Sequence, residues 1–164
     1  MYIQQTDLFR GISKDFVKKV MDITVKESRR QDDYLFQAGD PANHSYVLLK
    51  GRVDLSIGEF GHVVFVVSRP GEAFGLSSII DRDVYTASAQ CKAPTRLLKM
   101  ERNEFQRILE NDPANGFIFF KRLAGILGNR LLQSYQQISM GSQWERSLSF
   151  GTGRILESIE AHSG

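Results

Sequence analysis

An antiparallel β-roll or jelly roll with flanking helices, followed by one long helix built to pair, is the fold class this sequence predicts. Two observations carry that expectation. From Thr24 the chain alternates with period two through short pieces broken by turn signals, and after Pro113 a long run repeats apolar residues at three- and four-residue spacing. Many short strands with frequent turns favour a closed or two-sheet architecture.

The elements follow in order. Ser13 can cap a helix, SKDFVKKVMDIT, with Phe16, Val17, Val20 and Ile23 on one side. Strand-like pieces come next: TVKESRR, DYLF, SYVLLK, RVDLSI, HVVFVVS, YTASAQ and TRLLKM. Turn residues separate them at Ala38-Gly39-Asp40-Pro41, Lys50-Gly51, Gly58 to Gly61 and Pro70-Gly71. In RVDLSI, Val53, Leu55 and Ile57 share one face against Asp54 and Ser56, as in a half-buried strand. HVVFVVS is apolar on both faces and is expected to lie deeper.

ERNEFQRILEND reads as helix and stops at Asp112-Pro113, where Asp112 can cap and Pro113 can open the next helix. In that helix Phe120, Ala124, Leu127, Leu131, Ser134 and Ile138 form a seam, and Phe119, Leu123 and Ile126 form a second stripe. One face packed on the β-roll and the other on a second copy satisfies both, predicting a parallel homodimer through residues 117–138. A helix buried wholly within its own domain is the alternative. Gly125 and Gly128 cost roughly 1 kcal/mol each against Ala but let two backbones approach.

Composition excludes several classes. The chain has 164 residues, 41% hydrophobic and 24% charged, enough for a core and unlike a disordered chain. Its net charge of +2 is too small to predict nucleic-acid or membrane binding. A single cysteine, Cys91, allows no internal disulfide and fits a reducing compartment. Without a readable signal peptide or membrane-length apolar run, a soluble cytoplasmic protein is expected. No Ser/His/Asp set, acidic metal cluster or P-loop is readable, so no enzyme is expected.

Spaced motifs then point to a family. LFRGIS…FQAGDPANHSYVLLKGRVDLSI, with Gly39, Asp40, Ala42, Tyr46 and Gly51, resembles the opening of cyclic-nucleotide-binding domains of the catabolite activator protein / fumarate-nitrate regulator superfamily. GEAFGLSSIIDRDVYTASA resembles that family's phosphate-binding cassette, and the helix from Pro113 its dimer helix. The resemblance covers residues 6–140. It implies a β-roll over 1–112 with its cassette at 69–90, a dimerisation helix over 113–140, and a tail over 141–164. That tail, SFGTGRILESIEAH, resembles the first helix of a helix-turn-helix domain, with Arg154, Ile155 and Ile159 periodic. No recognition helix follows, so sequence-specific DNA binding by this chain alone is not expected. Trp144 and Phe150 either dock the tail or meet a protein partner.

The resemblance also defines what is missing. The family's cassette carries a Glu for the ribose hydroxyl and an Arg for the cyclic phosphate. Gly75 matches the cassette glycine, but Leu76 stands at the Glu position, and Tyr85 stands at the Arg position before Thr86-Ala87. Glu72 belongs to the preceding turn, and Arg82 to a surface turn between Asp81 and Asp83 unless the loop shifts. A charge-assisted hydrogen bond is worth about 1.5–3 kcal/mol, so losing both anchors costs roughly 3–5 kcal/mol. A micromolar site becomes millimolar.

Several readings remain open. The cradle of Gly75, Leu76, Ser77, Ser78, Tyr85, Thr86 and Ala87, with Ser134 reaching in from the long helix, holds a less charged small-molecule effector. Alternatively Leu76 and Tyr85 are plugs, Ser134 is a small polar residue tolerated in the seam, and the chain is a ligand-free interaction module. Or the backbone amides bind cyclic nucleotide weakly. Haem held by His62 or Cys91 is a further reading; no metal-site spacing joins His44, His62, His162 and Cys91, and no resident cofactor is expected.

Overall fold

The computed structural model describes residues 6–140, 145–149 and 154–158, with side chains up to residue 139. Trp144, Phe150, Ile159 and His162 lie outside the described residues. A 3₁₀ turn at Asp7–Phe9 precedes α1 (Lys14–Ile23), β1 (Thr24–Arg29), β2 (Tyr34–Phe36), β3 (His44–Lys50), β4 (Val53–Ile57), β5 (His62–Val67) and β6 (Ala73–Phe74). A 3₁₀ helix at Leu76–Ser78 leads to β7 (Ser88–Cys91), β8 (Thr95–Glu101), α2 (Arg102–Asn111), α3 (Pro113–Met140), β9 (Glu145–Ser149) and β10 (Arg154–Ser158). Compactness divides the chain within α3, into Met1–Arg122 and Leu123–Gly164.

The first unit is the β-roll. Its sheets run β1-β8-β3-β6 and β2-β7-β4-β5, all pairs antiparallel. Between them Phe36, Tyr46, Leu48, Val53, Phe74, Tyr85, Cys91 and Leu97 form one buried cluster. A second apolar layer lies under the helices, where Phe119 of α3 meets Phe9 and Phe105 edge-on or tilted, at centroid distances of 5.5 and 5.1 Å.

Local chemistry sets the helix boundaries where the sequence marks them. The Ser13 hydroxyl accepts from the Phe16 amide and Asp112 Oδ1 accepts from the Asn115 amide, each satisfying an otherwise orphaned donor. Asn115 then reaches back to Ser13 through Oδ1 and Nδ2, tying α3 to the start of α1. No described helix is long and apolar enough to cross a membrane.

Three expectations need correction. HVVFVVS does not lie deep: β5 is an edge strand, Val63, Val64 and Val66 are exposed, and only Val67 at its end is buried. Its neighbour on one side is β4 and, among the described residues, no strand follows on the other, so apolar residues on both faces do not bring burial. The tail is not helical where it is described. Arg154–Ser158 is a strand paired antiparallel with Glu145–Ser149. Two five-residue segments satisfy one another's backbone groups there. The strand β6 is too short to announce itself by periodicity. Asp54, assigned to the polar face of β4, is buried and held by Arg52 Nε at 2.8 Å.

The β3–β4 connection depends on Gly51, whose φ is +111°. A Cβ there would stand 2.5 Å from Thr95 Oγ1 and 2.8 Å from the Pro94 carbonyl oxygen. Gly51→Ala should therefore lower the stability of the fold by about 2 kcal/mol or more, read from urea denaturation.

Candidate functional site

The Gly39-Asp40-Pro41-Ala42 turn and the segment ending at Tyr85 build one another. Tyr85 N–H donates to the Asp40 carbonyl at 2.9 Å and Gly39 N–H donates to the Tyr85 carbonyl at 2.9 Å. Ala42 N–H donates to the Asp83 carbonyl at 2.8 Å, and Pro41 and Val84 form a β-bridge. Asp40 Oδ2 closes the turn by accepting from Gln37 N–H. The motif is thus the strip of backbone against which the cassette returns.

At the other end Gly75 takes φ +67°, and a Cβ on it would meet the Tyr46 ring at 3.0 Å and the His44 carbonyl at 3.2 Å. Leu76, Ser77 and Ser78 follow as a buried 3₁₀ turn. Ser78 donates to the Gly75 carbonyl from both its amide, at 3.3 Å, and its hydroxyl, at 3.1 Å.

Tyr85 occupies the interior. Its side chain belongs to the buried core, with 4% of the residue exposed, and its ring stacks on Phe36 at a centroid distance of 3.7 Å and an interplanar angle of 14°. Tyr46 and Phe74 continue the aromatic assembly, 5.2 Å apart and also at 14°. The Tyr85 hydroxyl donates to the His44 carbonyl at 2.6 Å and accepts from the His44 amide at 3.1 Å. Burial raises its phenol pKa, a push that the His44 hydrogen bond opposes without cancelling. Burial, then the adjacent Tyr85, raises Tyr46 further. Both rings are neutral at physiological pH, so the interior of the cassette carries no phenolate.

The other candidates are dispersed. Thr86 is exposed, and Ala87 packs at the margin of the core. Arg82 is exposed; its amide donates to the Ser77 carbonyl and its own carbonyl accepts from Arg102 Nη1. Ser134 belongs to the second unit, where its hydroxyl donates to the Arg130 carbonyl of its own helix. Glu72 serves its turn, accepting from Ser68 N–H, Arg69 N–H and Arg69 Nε, each at 2.9 Å. Burial pushes that carboxyl up, but the Arg69 and Ser68 donors outweigh it and hold it below its usual range. His62 is exposed, and Cys91 is buried with its thiol pKa raised mainly by that burial. Among the described residues no group of three His, Cys, Asp or Glu side chains could hold a metal ion. Phe36 is the functional neighbour that spacing did not single out; its place in DYLF, three residues before Gly39, is the signal that was available.

A model of the cyclic nucleotide-binding domain matches residues 26–112, more than half of the chain. The chain belongs to the cyclic nucleotide-binding domain family. Among known proteins it is 24% identical over 135 residues to the cyclic AMP receptor protein of Thermus thermophilus, covering 81% of this chain and 61% of that one. It is also 24% identical over 155 residues to the potassium channel KOR1 of Oryza sativa subsp. japonica, covering 93% of this chain and 17% of the channel. The chain therefore spans less than two thirds of these relatives. A solved cyclic nucleotide-binding domain from Methylobacillus flagellatus superposes with a TM-score of 0.74 at 25% identity, covering 87% of this chain and 82% of that one.

Within this member of the family, Tyr85→Phe keeps the stack and strands the half-buried His44 amide and carbonyl. It should cost about 1–3 kcal/mol by chemical denaturation. Glu72 gives a pH test. Its folded pKa lies below the ordinary 4.5, so its contribution is complete above that value and is lost as pH falls through the folded pKa. Glu72→Gln should be less stable than the wild type at pH 7, with the gap narrowing below about pH 4.5 in acid-unfolding curves.

Proposed function

We propose that this chain is a regulatory, non-catalytic domain of the cyclic nucleotide-binding fold whose cradle is closed by its own Tyr85, and which acts as a homodimer along α3. The observation that carries the first part is the buried Tyr85 ring on Phe36 with its hydroxyl spent on His44. A nucleotide would have to break that stack and leave the His44 groups unpaired, and would find Leu76 where a ribose-binding carboxylate is usual in the family. In this reading Gly75, Leu76, Ser77 and Ser78 hold the cassette's shape, and ordinary cyclic AMP sensing is not the input.

The second part rests on α3. Phe120, Leu131, Leu132 and Tyr135 are exposed along it, and a Cβ built on Gly125 or Gly128 meets nothing within 4 Å. From Gly125 to Ser139 the only charged residue is Arg130, so the stripe suits a second copy of the same helix. Ligand-linked rearrangement of such a dimer is the means by which a downstream element would be informed.

Two measurements test the pair of claims. Cyclic AMP at about 100 micromolar should leave the melting temperature unchanged; a micromolar site would stabilise by about 2.7 kcal/mol at 100 times its dissociation constant, and such a shift would refute the closed cradle. Light scattering should give a dimer for the wild type and a monomer for Leu131→Glu with an unchanged circular-dichroism spectrum. A monomeric wild type would remove the dimer reading.

A further inference from the structure

A second concavity lies between the cassette and the helices of the first unit. Ile79 and Ile80 of the cassette, Leu109 of α2, and Phe117 and Phe120 of α3 contribute its apolar walls, and it encloses about 570 Å³. That volume falls within the range of sites for small organic ligands. The walls are wet in this chain: Phe117 is 71% exposed, Phe120 45% and Ile80 38%.

Volume and apolarity would admit many ligands, and the charge on the wall narrows them. Arg102 lines the same cavity, with its side chain only 20% exposed. Its Nη1 donates to the Arg82 carbonyl at 2.7 Å, while Nη2 stands 3.4 Å from Asp81 Oδ1 on a side chain wholly in water. A guanidinium pairs best through two parallel bonds of about 2.7–2.9 Å to one carboxylate. The long contact to a solvated Asp81 falls short of that. Of the remaining charges on the wall, Glu110 is turned to its own helix, accepting from Gln106 Nε2 at 2.8 Å.

We propose that this cavity binds an amphipathic monocarboxylate, a medium-chain or aromatic acid, with the carboxylate on Arg102 in place of Asp81. The apolar body lies against Ile79, Ile80, Leu109, Phe117 and Phe120. Such a ligand bridges the cassette and the start of α3, so occupancy favours whichever arrangement keeps them at this spacing. The site adjoins the Tyr85 cradle, sharing Ser78 with it but not Tyr85 or Leu76, and stands whether or not that cradle excludes nucleotide.

Decanoate and decanol, each below its aggregation limit, test it on the full chain by thermal shift and by amide and methyl NMR. Decanoate should raise the melting temperature saturably and move the resonances of Ile79 and Ile80. Decanol, with the same body and no charge, should bind about tenfold more weakly or worse. Arg102→Gln should bring decanoate down to the level of decanol, and Ile80→Trp, which fills the cavity from its rim, should abolish both responses. If Arg102→Gln fails to fold by circular dichroism, the acid and alcohol on the wild type decide the question alone. Silence with both probes overturns the proposal, including where a second copy already covers Phe117. Decanoate binding that survives in Ile80→Trp places it elsewhere and also overturns it. Equal affinity for acid and alcohol overturns the carboxylate assignment.

Discussion

The hydroxyl of Tyr85 bonded to both backbone groups of His44 is the interaction on which the arrangement of this domain turns. A phenol taken out of water must find partners or forfeit a few kcal/mol, and here it finds a donor and an acceptor on one residue of β3. The bond fixes where the ring lies, and the ring in turn meets Phe36 of β2. Since β2 and β3 belong to different sheets, one side chain from the cassette joins both faces of the roll. Gly75 is bare because the Tyr46 ring and the His44 carbonyl already occupy the space a side chain would need.

The backbone of the cassette is likewise held by the protein's own groups. The positive φ of Gly75, the self-bonded turn at Ser78 and the pairing of residues 39–42 with 83–85 all satisfy backbone groups. None of them needs a phosphate. A family resemblance carried by such residues reports the fold of the cassette and does not depend on the side chains of Leu76 and Tyr85.

Arg102 is a second such junction. It begins α2, its amide donates to the Asn43 carbonyl, and its guanidinium reaches the cassette at Arg82 and Asp81. Three segments distant in sequence are joined by one residue. In the proposed reading, closure of the inner cradle by Tyr85 leaves the seam between cassette and helices as the place where a small molecule would bear on both.

The sequence by itself determined what depends on neighbouring residues. Ser13 and Asp112 mark helix starts because capping is a contact across three residues. The longer strands between Thr24 and Glu101 follow from alternation and turn residues, though β6 does not, and Leu76 and Tyr85 are legible as uncharged residues of the segment around the 3₁₀ turn. Only the tertiary structure decided that β5, apolar on both faces, is an edge, since burial depends on what lies alongside a strand. It alone decided that residues 154–158 pair as a strand, because a five-residue segment takes its conformation from its partner. And it alone placed Tyr85 on Phe36 and Arg102 against the Arg82 carbonyl: those contacts join residues tens of positions apart, and no local pattern encodes which distant backbone group a side chain will reach.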